Sequence, residues 1–207
     1  MAKQKQETKN ETLLFNKWDS TAVEVRDPSL QGYINLEPII IPRTGGRHEA
    51  KRFWKSKMHI IERLMNKLMT PGHKGKEHWW TSRQCTGKSQ TNYKTVKKVL
   101  ENLENKTQQN PLQVIATAVE NSSPREEATN IEYGGTRYQK AVDISPQRRV
   151  DLALRWITQT AYAKSVNNKK SIVQTLSDEI LKAYKNDPES AAVKKKNETE
   201  RHADSSR

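Results

Sequence analysis

From residue 58 onward, apolar side chains recur every three or four positions, and this spacing predicts a succession of helices. Met58, Ile61, Met65 and Leu68 place a first helix over residues 58–69, which Thr70-Pro71-Gly72 ends. Tyr93, Val96, Leu100 and Leu103 mark a second, with Lys94, Lys97 and Lys98 turned away from that stripe. Asn110-Pro111 opens a third: the asparagine caps, and proline lacks an N–H that has no partner at the first helical position anyway. Its buried face is Leu112, Ile115, Ala116 and Val119. Ser145-Pro146 opens a fourth in the same way, with Val150, Ala153, Leu154, Ile157 and Ala161 inward. Residues 171–185 form a fifth through Ile172, Leu176 and Ile180. Asp187-Pro188 is expected to open a last helix, running through AAVKKKNETERHA, whose charged middle faces solvent or a partner.

The period changes to two only over residues 128–144. With Gly134-Gly135 as a two-residue turn, Tyr133 faces Thr136 and Glu132 faces Arg137. Ile131, Tyr133, Tyr138 and Val142 then share one face of a hairpin with strands of about six residues. A lone two-stranded hairpin is marginal in water, so it packs along its length or reaches toward a partner. Ahead of the helices, residues 1–12 read as a flexible polar tail, and residues 13–57 as an extended segment broken at Asp27-Pro28 and Glu37-Pro38. The expected fold is mostly α: a bundle of about six helices with a protruding two-stranded β-hairpin arm and basic loops. No βα alternation of the kind a nucleotide-binding sheet needs is present.

Charge changes the picture. The 207 residues are 33% hydrophobic and carry a formal net charge of +13. Residues 43–98 hold 15 Lys and Arg against 3 acids, while residues 1–42 and 99–147 are each slightly negative. A solvated mixture would spread both signs, so this block implies a polyanionic partner. Its cations lie mostly between helices, which favours nucleic acid over a membrane surface. No apolar run approaches the roughly 20 residues of a membrane span, and MAKQKQETKNE lacks the apolar core of a signal peptide. A cytosolic setting is therefore expected, and the four N-x-S/T sequences read as chance matches.

Catalytic chemistry finds little support. SRQCTGKS, residues 82–89, has the tail of a P-loop, but Ser82 stands where the first glycine belongs and no buried strand precedes it. His48, His59, His73, His78 and His202 include no pair at zinc-hydrolase spacing. Cys85, the only cysteine, permits no internal disulfide and has no pairing base in view. Neither an enzyme nor a cofactor is expected. Trp79 and Trp80 are adjacent, so one of them fills a gap under the loop or stacks on a base.

The sharpest puzzle is PQRRVDLALRW, residues 146–156. Arg148 and Arg149 sit in the first helical turn, the positive end of the dipole, where a cation forgoes roughly 0.3–1 kcal/mol relative to an anion. A phosphate docked there would reverse that sign, since free N–H groups and two guanidinium forks all favour it. In the alternative, Arg148 pairs with Asp151 and Arg149 lies over Trp156.

These segments resemble a known family. GGTRYQKAVDISPQRRVDLALRWI is similar to the hairpin and following helix of the small-subunit ribosomal protein seven family. NPLQVIATAVENSSPREE resembles that family's third helix, and AAVKKKNETERHADSSR its C-terminal helix. WDSTAVEVRDPSLQGYINL and HWWTSRQCTGKS resemble the archaeal and eukaryotic branch, and an archaeal source is expected. The resemblance spans residues 13–207. It implies a helical domain over residues 58–207, bound to the 3′ major domain of small-subunit ribosomal RNA and helping to nucleate assembly of the subunit head. Neighbouring head proteins would be partners, and the arm would lie near the exit-site tRNA and the mRNA path. By resemblance, Arg148, Arg149 and Arg155 fall on the RNA-facing helix, and Arg137, Tyr138 and Lys140 on the arm. Arg43, Arg47, Lys51, Arg52, Lys74 and Lys76 are added from the archaeal-type segment and loop. His48, Lys57, Arg83 and Lys88 from the basic loops, and Lys194 and Lys195 from the last helix, complete the expected RNA-binding set. The rival readings are an architectural DNA-binding protein using the hairpin as an arm, and a nucleotide hydrolase at residues 82–89.

Overall fold

Residues 12–72 and 85–207 are described in a computed structural model of the chain. Among them run six helices and one hairpin: α1 (Ile60–Met69), α2 (Ser89–Thr107), α3 (Pro111–Ser122), β1 (Glu126–Tyr133), β2 (Thr136–Asp143), α4 (Pro146–Ser165), α5 (Ile172–Tyr184) and α6 (Ala191–Asp204). The mostly helical architecture with a hairpin is the one the periodicities predict. α5 packs against α2, α3 and α4. Leu100, Leu103, Leu112, Ile115, Leu154, Ile157, Leu176 and Ile180 are fully buried between these helices. Each such side chain stabilises the fold by roughly 1.5–3 kcal/mol relative to leaving it exposed.

The caps decide where the helices start. Asn110 Oδ1 accepts from the Leu112 N–H at 3.0 Å, as its position ahead of Pro111 predicts. Ser171 and Gln174 form a reciprocal capping box on α5. α1 begins two residues later than expected. His59, not Met58, holds the cap, its Nδ1 accepting from the Ile61 N–H at 3.2 Å, and Met58 belongs to the turn that follows a short 3-10 segment, Trp54–Lys57. α6 likewise begins at Ala191, because Asp187 closes a turn instead: its carboxylate accepts from the Glu189 N–H and its carbonyl from the Ser190 N–H, each at 2.9 Å. Ser190 then caps α6, and the buried Glu179 carboxylate accepts from the Ser190 hydroxyl at 2.9 Å and the Ala192 N–H at 3.2 Å. An anion is thereby placed at the positive end of that helix.

The segment ahead of α1 belongs to the same core. Leu14, Trp18, Leu30 and Ile34 are buried in it, and the Phe15 ring packs 5.0 Å from Tyr93. Side chains of α3 hydrogen-bond its backbone: Gln113 exchanges bonds with Glu24 at 2.9 and 3.0 Å, and Glu120 accepts from the Arg26 N–H at 2.6 Å. The segment is thus a strap across α3, its polar backbone satisfied without a sheet.

The hairpin follows the predicted register, Tyr133 opposite Thr136 and Glu132 opposite Arg137. Gly134 and Gly135 both take left-handed conformations, φ +58° and +81°, as a two-residue turn matched to strand twist requires. Each strand has eight residues rather than six, so the arm extends about 27 Å. The added residues lie at the root, where Glu126 and Glu127 pair with Asp143 and Val142 and no hydrophobic alternation marks a strand. α6 and the residues after it brace that root: Arg207 reaches Glu126 at 2.6 Å, and Glu200 accepts from the Arg125 N–H at 3.0 Å. Beyond it, every residue from Thr129 to Lys140 is exposed.

Candidate nucleic-acid interface

The two arginines that open α4 have separate fates. Arg149 is buried. Its Nε donates to the Pro124 carbonyl at 3.1 Å, one terminal nitrogen to Ser29 Oγ, and the other to Asp27 Oδ2 at 2.7 Å and Ser123 Oγ at 3.2 Å. Partial burial pushes the Asp27 carboxyl up, but bonds from Ser29 and Arg149 outweigh it and hold it below the ordinary carboxylate range. Arg149 therefore locks the strap to the start of α4, and its guanidinium is spent on the fold. The expectation that both arginines offer one RNA-facing surface is corrected at this residue. So is its alternative, a guanidinium lying over Trp156.

Arg148 is exposed and binds Glu127 of β1 through two bonds of 2.8 Å. The hydrogen bond and charge of Glu127 raise its pKa further. Its partner is thus the root of the arm, not Asp151. Asp151 is instead taken by Lys55 and by Arg63, the latter at 3.1 Å. Burial pushes the Asp151 carboxyl up, yet the Lys55 bond and the charges of Arg63 and Lys55 pull it below the usual range. Arg63 is itself buried and also donates to the Tyr33 carbonyl at 2.8 Å, so α1, α4 and the strap meet at one ion cluster. Periodicity marks none of these partners, because they lie 21 to 122 positions apart in the chain.

The free cations lie elsewhere. Between Arg43 and Lys57 the chain exposes Arg43, Arg47, Lys51, Arg52 and Lys57, with His48 half-buried among them. The Lys51 and Lys57 ammonium groups sit 5.2 and 5.0 Å from the Trp54 ring centre, and Arg52 lies 5.5 Å from that of Phe53. Rings hold these cations without neutralising them. Lys88 is exposed at the start of α2, and Lys194 and Lys195 on α6, while Arg155 is half-buried on α4. On the arm, Arg137 makes only a loose 3.5 Å contact with Glu132, and Tyr138 and Lys140 are exposed on the opposite face. Tyr133 is 82% exposed and Ile131 43%, on the face of Tyr138. Those two extend the arm's candidate surface, and the period-two pattern carried the signal for them. Lys74, Lys76 and Arg83 lie outside the described residues, as do Trp79 and Trp80.

The hydrolase reading gains no support. Gly87 turns left-handed at φ +76° and α2 starts at Ser89, but the one described sheet is the hairpin, so no P-loop strand precedes them among the described residues. No described helix is long and apolar enough to cross a membrane. A helical body with a basic loop, a strap and an exposed two-stranded arm invites comparison with known proteins. The sequence model of the family described as "Ribosomal protein S7p/S5e" matches residues 30–207. The chain belongs to this family. Among curated relatives, the "Small ribosomal subunit protein uS7" of Nanoarchaeum equitans is 52% identical over 194 residues, covering 94% of this chain and 98% of that protein. The protein of the same name from Methanosphaera stadtmanae is 51% identical over 190 residues, 92% and 96% of the two chains. That of Methanococcus vannielii is 47% identical over 200 residues, 96% and 97%. The S7p/S5e match begins at Leu30, just beyond Asp27 and Ser29, while the archaeal relatives align over more of the strap.

Proposed function

We propose that the chain is a structural, non-enzymatic protein of the small ribosomal subunit, which fixes the 3′ major domain of the subunit's RNA and helps nucleate head assembly. Its membership of the S7p/S5e family and the names of its archaeal relatives support the subunit. The five exposed cations between Arg43 and Lys57 carry the RNA reading: rings and a serine hydroxyl contact four of them, and among the described residues no carboxylate pairs with any. Their work is placement. Guanidinium and ammonium groups neutralise phosphates and hold RNA helices in one orientation. Arg148 adds a guanidinium at the root of the arm, and Lys88 at the start of α2 and Lys194 and Lys195 on α6 add further exposed cations. Neighbouring head proteins are further partners. The exposed arm, with Tyr133, Tyr138, Arg137 and Lys140, reaches toward the exit-site tRNA and the mRNA path.

The test is a salt titration of binding to a transcript of the 3′ major domain. Each phosphate contact contributes roughly 0.7–0.9 to the slope of log K against log salt. Replacing Arg47, Lys51 and Arg52 together by Ala should flatten the slope by about 2 and leave the melting temperature unchanged. An unchanged slope overturns the reading, as does tighter binding to duplex DNA than to the transcript at equal salt.

A further inference from the structure

Three of the chain's four methionines, Met58, Met65 and Met69, line one cleft with Tyr93, Ser89 and Glu62. The cleft holds about 230 Å³, below the roughly 300–1,000 Å³ of drug-sized ligand sites, so a single planar ring system fits it. Pro42 to Gly46 form its rim, with the Arg43 guanidinium tethered to Ser89 Oγ at 2.7 Å. Glu62 is 5% exposed. Its Oε1 accepts from both the N–H and the hydroxyl of Thr44 at 2.8 Å, but its Oε2 has no hydrogen-bond partner and the residue forms no ion pair among the described residues. A buried polar group without a partner is rare and costly, because nothing replaces the water it lost. Thioether side chains are flexible enough to open around an incoming ring.

We propose that this cleft takes a nucleobase extruded from the bound RNA, read by Glu62 Oε2 through the base's N–H groups. The inference rests on the RNA-binding reading. Guanine fits best, since its N1–H and N2–H stand side by side toward an acceptor. Uracil presents its one N–H between two carbonyl oxygens that a carboxylate repels. The base stacks on Tyr93 and the methionines, and Arg43 at the rim meets the adjoining phosphate. A partner protein's lysine or arginine could also fill Oε2, but it would have to enter a region with 15 Lys and Arg against 3 acids. A nucleotide carries the opposite charge; at the cleft itself its phosphate belongs on the Arg43 side, because the lining also holds Glu49.

The experiment uses full-length protein labelled at the methionine methyls, titrated with GMP, UMP, methylguanidinium and the 3′ major domain transcript. GMP and the transcript should move the Met58, Met65 and Met69 signals, and UMP should not. Glu62→Gln keeps the shape and the Thr44 bonds but turns an acceptor into a donor. It should weaken GMP roughly tenfold or more and bring UMP into the cleft. A reversed preference cannot come from a merely structural role. Unchanged preference in Glu62→Gln overturns the proposal, as do methyl signals that stay still with the transcript bound. A response to methylguanidinium but not to GMP overturns it too and assigns the cleft to a partner's arginine. Failure to bind the transcript at all would instead refute the RNA reading beneath it.

Discussion

Replacing Arg149 by Met should separate fold from function. The side chain is 8% exposed and its Asp27 partner 22%. Removing one member of a buried pair costs about 3–5 kcal/mol, because the other charge stays behind unpaired. Asp27 keeps bonds from the Ser29 N–H at 3.0 Å and hydroxyl at 2.7 Å, and it touches water, so the loss falls near the lower end, about 3 kcal/mol. For a chain of this size that lowers Tm by roughly 6–12 °C. The affinity of the folded protein for the transcript should stay within about twofold. Arg148→Met is the control: its side chain is 53% exposed, and pairs of that kind are worth about 0–1 kcal/mol. Thermal and urea unfolding give the stabilities, and fluorescence anisotropy with labelled transcript gives the affinity. Equal stability losses in the two variants would refute the reasoning. So would an Arg149→Met protein that keeps its Tm and loses RNA affinity, since the guanidinium would then serve the ligand.

Two further outcomes follow from the caps and turns. Burial pushes the His59 imidazole down to about 4, against about 6.5 when unfolded. Between those values only the unfolded chain holds the proton, so stability should fall from pH 6.5 to pH 4 by at most about 3 kcal/mol and then level. His59→Asn retains a cap acceptor without the titration, and urea unfolding at pH 7, 5 and 4 should show the wild type losing that much more than the variant; parallel losses would remove His59 as the cause. Gly134→Ala and Gly135→Ala meet no atoms within 4 Å, so their cost is the left-handed backbone alone, about 1–2 kcal/mol each. Because the arm tip is exposed, that cost should appear as roughly tenfold or faster amide exchange over residues 129–140 with Tm unchanged, whereas a drop in Tm would mean that the arm folds with the core.

What was legible in the sequence was local. Asn110-Pro111 and Ser145-Pro146 located two helix starts because such signals act within three residues, although only Asn110 makes a side-chain cap bond. Gly134-Gly135 set the hairpin register because a two-residue turn leaves no freedom in the pairing. The start of α6 was misplaced because Asp187 and Ser190 are both good caps, and only the buried Glu179 on α5 decides between them. The apolar residues Tyr33, Ile34 and Leu36 to Ile41 mark anchors for the strap, but how its backbone is held was not legible, since Gln113 and Glu120 satisfy it rather than any repeating pattern. The candidate site divided along the same line. Exposed cations between Arg43 and Lys57 could be read from composition, but the fates of Arg148 and Arg149 depend on Glu127 and Asp27, which no spacing rule connects to them.

The bond between Arg149 and Asp27 also fixes an order of events during synthesis. Asp27 is made 122 residues before its partner. At 5–20 residues per second the ribosome takes roughly 6–24 s to cover that distance. Throughout that interval Asp27 has no Arg149 to meet, so this tie of the strap to the body can close only once α4 begins to emerge. The strap is thus made before every helix of the body, yet this tie waits until α1, α2 and α3 are complete.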